Sequence, residues 1–479
     1  MNITRRDWLK TASASFAASA LATRTASAAT RPNIIFILAD DLGYGDLGCY
    51  GQQRIKTPNL DRMAAEGLRF TNCYAGSTVC APSRCCLMTG LHTGHCYIRG
   101  NARLPLRPED ETVAELMKQA GYATALIGKW GLGNEDTTGT PNKQGFDYFY
   151  GYLDQGHAHN YYPTYLWRNE QREPLKNTED PEHPGVAIDR VEYSHDLFAE
   201  EALRFVTEHK QAPFFLYLAL TTPHANNEGG RARGDGMEVP EYGIYENEEW
   251  PNTQKGHAAM ITRMDRDIGR LMDKLKELDI DKNTLIFFSS DNGTHKEGGA
   301  DPEFFKSSGP LRGFKRALYD GGIRVPGIAW WPGTLRPGET SDHIWAFWDF
   351  LPTACDLAGI ATPPNLDGIS IMPTLAKHGA PNPTGDQQKL HEYLYWEFHE
   401  QGTRQAIRAG NWKGVRLAIN GPIELYDVVT DPGEAKNLAS ANPEVVAKIE
   451  TYLAKARTPH DNWPLKERPQ GSSDQLEVV

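Results

Sequence analysis

The stretch Val79-Cys80-Ala81-Pro82-Ser83-Arg84-Cys85-Cys86-Leu87-Met88-Thr89-Gly90 holds the residues best placed to do chemistry. Pro82 suits the first turn of a helix, where its missing N–H is no loss, and Gly90 suits the position just past a helix end. A helix here puts Cys80 at its positive end, with Arg84 one turn in and on the same side. Such an end attracts anions and favours a reactive side chain. Taken alone, the pattern equally suits a structural cysteine before a buried helix.

Four apolar runs of strand length each end in polar groups. Asn33 to Leu38 leads to Asp40-Asp41, and the run from Tyr122 leads to Gly128-Lys129-Trp130-Gly131. Phe214 to Leu220 leads to Thr222-Pro223-His224, and Thr284 to Phe288 leads to Asp291-Asn292-Gly293. In an open parallel sheet ligands gather at the carboxyl ends of strands, so all four groups are expected to converge. Asp40, Asp41, Asp291 and Asn292 form an all-oxygen set for a hard divalent cation, Ca²⁺ first and Mg²⁺ as runner-up. Singly, such pairs after a strand are usually turn residues. Two of them beside the Cys80 helix favour the metal reading. Arg84, Lys129, His224 and Lys315 supply a positive wall for an oxyanion.

The elements that must hold these groups alternate between strand-length runs and amphipathic stretches, the pattern of an α/β chain with helices on both faces of a parallel sheet. Helices are expected from Pro58 to Glu66, from Glu111 to Ala120, over 195–209 and over 257–278, the last with Met260, Ile261, Met264, Ile268, Leu271, Met272 and Leu275 at helical spacing. A Pro/Gly-rich linker, Lys377 to Gly385, separates a domain over 29–376 from a smaller unit over 386–479. That unit carries short strand runs at 390–398, 403–409, 412–418 and 423–428 and a helix begun by Asn442-Pro443. It reads as a small antiparallel sheet with one helix.

With 479 residues the chain can bury one large core and an appended unit. Its net charge of −12 argues against a nucleic-acid partner. An anionic substrate therefore needs a local basic pocket. Residues 1–28 read as a twin-arginine signal peptide: Arg5-Arg6-Asp7-Trp8-Leu9-Lys10, a weakly apolar run, and the cleavage site Ala26-Ser27-Ala28. Export to the periplasm follows as an expectation. No apolar run reaches about 18 residues, so no integral membrane segment is expected. The 7 cysteines are odd in number. If Cys80 is converted, the remaining six allow 15 pairings that sequence cannot rank.

The segments occur in an order that resembles the type I, formylglycine-dependent sulfatases: a strand followed by Asp-Asp, CxPSRxxLxTG at Cys80, GYxTxxxGKW at Gly121, Pro-His, Asp-Asn-Gly, then GxKxxxYxGGxRVP around Lys315. The resemblance covers roughly residues 32–375. It implies an alkaline-phosphatase-like α/β/α sandwich with a large mixed, mostly parallel sheet. It also implies a formylglycine made from Cys80 by a formylglycine-generating maturation enzyme, Ca²⁺ on Asp40, Asp41, Asp291 and Asn292, and sulfate held by Arg84, Lys129, His224 and Lys315. In such an enzyme one hydroxyl of the aldehyde hydrate attacks sulfur, and deprotonation of the other expels sulfate. Asp291 would accept the nucleophile's proton; His224 or Lys315 would protonate the leaving oxygen, the choice staying open.

One departure stands out. Many relatives carry a histidine where this chain has Gly131. Gln155 or His157 is the expected stand-in, with His159 facing substrate. His295 is expected to contact the leaving group, and His399 and Arg404, near Trp396 and Phe398, to contact a sugar. The implied substrate is a sulfated glycan, with galactose or N-acetylgalactosamine 4-sulfate as the specific expectation. The rival readings are a phosphodiesterase or phosphonate hydrolase of the same superfamily, and a non-catalytic glycan-binding relative if Cys80 stays a thiol.

Overall fold

In a computed structural model the described residues are 31–382 and 384–467. The signal-peptide expectation over 1–28 lies outside them. The described residues from Pro32 onward form one compact unit.

The first apolar run is strand β1 (Asn33–Asp40), buried along its whole length. It sits inside a sheet built with β2 (Leu68–Tyr74), β3 (Ala123–Lys129), β4 (Tyr148–Tyr152), β5 (Tyr165–Arg168), β6 (Gln171–Pro174), β7 (Phe214–Pro223), β8 (Thr284–Ser290), β9 (Arg324–Trp330), β10 (Glu339–Ser341) and β11 (Trp345–Ala346). Among the described residues this is an 11-stranded sheet in the order β10-β2-β9-β8-β1-β7-β3-β4-β5-β6, with β11 beside β2. The central strands β8, β1, β7 and β3 run parallel, so their carboxyl ends open on the same edge. β9 runs antiparallel to both β8 and β2, which makes the sheet mixed.

Alternation along the strands divides the core into two layers. Ile34, Phe36 and Leu38 face one core with Tyr217 and Phe287; Ile35, Ile37 and Ala39 face the other with Leu216 and Ile286. Helices α1 (Pro58–Glu66), α4 (Ser194–Glu208) and α6 (Asn252–Glu277) cover the second face. Helices α2 (Cys80–Thr89), α3 (Val113–Gln119) and α7 (Phe350–Ala358) cover the first, with α5 (Asn227–Arg233) lying beyond the end of β7. The expected α/β/α sandwich is what forms. Two helix boundaries differ from expectation. α3 starts at Val113 because Thr112 and Glu115 close a capping box, and α6 starts at Asn252, directly after Pro251.

The C-terminal strands β12 (Leu394–Phe398), β13 (Arg404–Ala409), β14 (Trp412–Arg416) and β15 (Ile423–Asp427) form an antiparallel sheet, followed by helix α8 (Pro443–Lys455). Leu394, Trp396 and Phe398 join the main core, while Tyr395 turns to the opposite side against Ile449, Tyr452 and Leu453 of α8. The small sheet is therefore covered on both faces. No helix among the described residues is long and apolar enough to cross a membrane. The seven cysteines are unbridged, with Cys86 and Cys96 sulfurs 4.0 Å apart.

Candidate active site

Helix α2 follows Val79, whose backbone is extended, and ends at Gly90 in the left-handed region with φ 70°. A glycine suits that end, since only its missing Cβ makes the conformation free of strain. All ten residues of α2 are buried. The orphan N–H of Ala81 is satisfied by Asn101 Oδ1 at 3.2 Å. Cys80 Sγ thus starts the helix and points at Asp40 Oδ1, 3.6 Å away.

Arg84 lies one turn in and is fully buried. Its Nε and Nη2 donate to Asp291 Oδ2 at 3.1 and 2.9 Å, Nη2 also to Asp40 Oδ2 at 3.2 Å, and Nη1 to the Lys129 carbonyl at 2.8 Å. Lys129, from the end of β3, puts Nζ 2.6 Å from Asp40 Oδ2. Lys315 Nζ lies 2.8 Å from Asp41 Oδ2, 2.8 Å from Glu297 Oε2 and 3.1 Å from His224 Nε2. Four strand ends, the start of α2 and the loops carrying Glu297 and Lys315 thereby meet, as the parallel order of β8, β1, β7 and β3 requires.

The four expected metal ligands adjoin one another. Asp291 Oδ1 accepts from the Asp41 N–H at 3.1 Å, and Asn292 Nδ2 donates to Asp41 Oδ1 at 2.7 Å. Asp41 sits at φ 66°, uncommon for a residue with a side chain and frequent at functional sites. Asn292 Oδ1 is buried and, among the described residues, has no hydrogen-bond partner. An orphan acceptor beside three carboxylates fits a hard cation. The structure adds to the sequence reading here: Cys80 and His224 also place ligand atoms within 4.8 Å of Asp40 and Asp41.

The charges shape each group's acidity. Burial works to raise the Asp40 pKa, but Lys129 and Arg84 outweigh it and hold the carboxyl far below its ordinary range. Asp291 goes the other way, to about 7, because burial and neighbouring Asp40 both disfavour its charge. Burial and Asp40 push the Cys80 thiol well up, so an unmodified cysteine stays protonated and is a weak nucleophile. His224 is lowered to about 3 by burial and Lys315. Its Nδ1 lies 2.6 Å from the Ala225 carbonyl, which assigns the proton to Nδ1 and leaves Nε2 to accept from Lys315.

Other expectations meet the structure unevenly. An ideal Cβ at Gly131 would stand 2.5 Å from Gln155 Nε2, so the Gln155 carboxamide occupies the missing side chain's space. Both residues line a cavity of about 210 Å³ that also touches Ala81, Asn101, Arg103 and Asn134. His159 stacks on His224 with centroids 4.7 Å apart and holds Glu228 Oε2 through Nδ1 at 3.1 Å.

The His157 ring packs against Tyr152 and Tyr165. His295, the expected leaving-group contact, lies beside His224 with ring centroids 6.0 Å apart. It is buried, Nδ1 accepts from the Glu297 N–H at 3.0 Å, and Nε2 faces the Pro223 carbonyl at 3.1 Å. His399 and Arg404 are likewise engaged within the protein. His399 bonds Glu397 at 3.0 Å, and Arg404 donates to the carbonyls of Arg316 and Glu400. Sequence reasoning missed Asn101, Glu228 and Glu297. No residue pattern in the sequence singled out any of the three.

Residues 32–360 match the family model described as Sulfatase, and residues 313–459 match that of the N-sulphoglucosamine sulphohydrolase C-terminal region. The chain is 29% identical over 481 residues to N-acetylgalactosamine-6-sulfatase of Mus musculus, covering 93% of this chain and 84% of that one. It is 32% identical to arylsulfatase A of Homo sapiens, covering 89% and 88% of the two chains. Among solved structures, Ps i-CgsB in complex with k-i-k-neocarrahexaose is similar at TM-score 0.74 and 28% identity, over 91% of this chain and 95% of that one.

Proposed function

The chain belongs to the sulfatase family, and from that premise we propose that it removes sulfate from a galactose-type sugar of a sulfated glycan, using a formylglycine made from Cys80 and a bound Ca²⁺. The observation that carries the reading is the position of Cys80 Sγ, 3.6 Å from Asp40 in a pocket walled by Arg84, Lys129 and Lys315. The sugar class rests on the names of the relatives, an N-acetylgalactosamine sulfatase and a protein crystallised with a neocarrahexaose.

Formylglycine, when present, supplies a hydrate whose second hydroxyl gives the bound sulfate an exit that a thiol lacks. Asp40, Asp41, Asp291 and Asn292 would hold Ca²⁺, which would supply positive charge beside the nucleophile. The chain's own groups do the rest. Arg84 and Lys129 orient the sulfate oxygens and stabilise the charge that builds there. Asp291, at the end of β8 and held by the Arg84 guanidinium, is the carboxylate that would take a proton from the position of Cys80. Lys315 is the better general acid, because His224 Nε2 accepts from it and has no proton to give. Gln155 and His159 stand where the sugar would enter. Export through the twin-arginine signal at Arg5-Arg6 completes the reading.

Mass spectrometry of the peptide spanning Cys80, taken from the native host, tests the mechanism. An aldehyde or its hydrate is expected, and an unmodified thiol would overturn it in favour of a glycan-binding relative. Turnover of an aryl sulfate beside an aryl phosphodiester separates sulfatase from phosphodiesterase. N-acetylgalactosamine 4-sulfate and 6-sulfate form the two arms for position: sequence points to the first, the relative's name to the second.

A further inference from the structure

Lys315 sits in a loop whose next residue, Arg316, has φ 73°, a conformation uncommon for any residue with a side chain. The loop is pinned on both sides of the bend, by Lys315 N–H to the Thr294 carbonyl at 2.7 Å and Arg316 N–H to the Thr78 carbonyl at 3.0 Å. Both consecutive cations meet one buried carboxylate. Glu297 Oε2 takes Lys315 Nζ at 2.8 Å and Oε1 takes Arg316 Nη1 at 2.5 Å. Arg316 Nε in turn reaches Glu400 Oε2 at 2.9 Å, in the turn between β12 and β13. Strain in a backbone is a pointer to function when the surrounding contacts over-determine it, as they do here.

Glu297 differs from the other carboxylates on Lys315. Asp41 belongs to the oxygen set that fits a cation, whereas the Glu297 oxygens are committed to Lys315 and Arg316. Burial would raise its pKa, but Lys315, His224 and Arg316 keep it well below the carboxylate range. Both His295 nitrogens are engaged, Nδ1 accepting the Glu297 N–H and Nε2 facing the Pro223 carbonyl.

We propose that Glu297 is the positioning residue of Lys315, and that the chain Lys315–Glu297–Arg316–Glu400 makes the C-terminal sheet a working part of the active site. The inference rests on the sulfatase reading. The C-terminal turn holds Arg316, Arg316 fixes one oxygen of Glu297, and the other oxygen aims the lysine ammonium. A buried carboxylate whose second oxygen is held by a guanidinium N–H, the guanidinium being tied in turn to Glu400, cannot drift with the lysine.

The test is a double-mutant cycle on kcat and KM with an aryl sulfate and a sugar sulfate. Glu297→Gln is expected to lower kcat by about 10–100-fold with KM within about threefold, and most on the sugar sulfate, whose alcohol leaves less readily. In a Lys315→Ala background the same change should cost less than about twofold, which a merely structural role would not produce. Glu297→Asp should recover part of the loss. Glu400→Gln, at the half-buried outer end of the chain, should lower kcat about threefold in the wild type and leave Lys315→Ala unchanged. Equal losses with and without Lys315, or a Glu400→Gln protein with wild-type kcat, would overturn the inference. A wild type inactive on every sulfate ester sinks the sulfatase reading itself and this inference with it.

Discussion

The carboxamide of Gln155 fills the room that a side chain at Gly131 would need, its Nε2 2.5 Å from where a Cβ would stand. Gly131 has φ 79°, so it is glycine on two counts, backbone and space. The Nε2 donor is buried and unpartnered among the described residues, beside the cavity that opens past Ala81. The pair is one unit: either residue constrains what the other can be.

Gly131→Ala should therefore destabilise the fold by about 1–2 kcal/mol from the backbone alone, with the clash adding to it. Gln155→Ala in the same chain should relieve the clash and leave the backbone cost, a partial recovery visible in urea midpoints. Gln155→Ala alone should lower kcat/KM on a sugar sulfate by about tenfold, the loss of one hydrogen bond. Unchanged turnover on that substrate would remove Gln155 from the site.

Arg84 gives a stability prediction. Its guanidinium holds Asp40, Asp291 and the Lys129 carbonyl in full burial. Arg84→Met leaves buried carboxylates without their partner and should cost about 3–5 kcal/mol. Arg84→Lys keeps the charge but cannot reach three acceptors in different directions, so most of the loss should persist. A chemical-denaturation midpoint near wild type for the lysine variant would show that charge alone suffices.

His157 and His159 are two residues apart and should behave oppositely. His157 packs at 4.5 Å from the Tyr165 ring, and burial lowers its pKa to about 4. His157→Ala should cost about 1 kcal/mol in stability and leave kcat within about twofold. His159→Ala should hold its stability and lose sugar-sulfate turnover, since its ring stacks on His224. Thermal melts read beside steady-state kinetics separate the two.

The convergence of four polar strand ends was legible in the sequence because uninterrupted apolar runs imply central parallel strands, and parallel strands open at one edge. The N-terminal position of Cys80 followed in the same way from Pro82 and Gly90. Side-chain destinations in loops were not legible. Gln155, His157 and His159 differ by two residues at a time, yet Gln155 turns to Gly131, His157 to Tyr152 and Tyr165, and His159 to His224. Glu297 was hidden for another reason: its partners are Lys315, 18 residues on, and Arg316, whose left-handed backbone no sequence pattern announced. His399 and Arg404 looked like sugar contacts by composition, while their hydrogen bonds go to Glu397, Arg316 and Glu400.

The metal prediction follows from Asp291. Its pKa, raised to about 7, means that the metal-free native protein keeps a proton there which the unfolded chain gives up near pH 4. That proton's stabilising contribution is fully present below pH 4 and is lost as pH rises to about 7. A cation takes the proton's place, so Ca²⁺ binding must displace it below pH 7. Affinity should fall by up to about tenfold per pH unit from 7 downward and level off above it. Calorimetry in buffers of different ionisation enthalpy would count the released proton. At a hundredfold excess over Kd the bound ion should add about 2.7 kcal/mol of stability, and a chelator should remove it. Asp291→Asn should weaken binding and flatten its pH dependence. A preference for zinc over calcium would instead show Cys80 and His224 acting as ligands with Asp40 and Asp41, the set of an unmodified thiol. The same titration thus reports both the ion and the chemical state of residue 80.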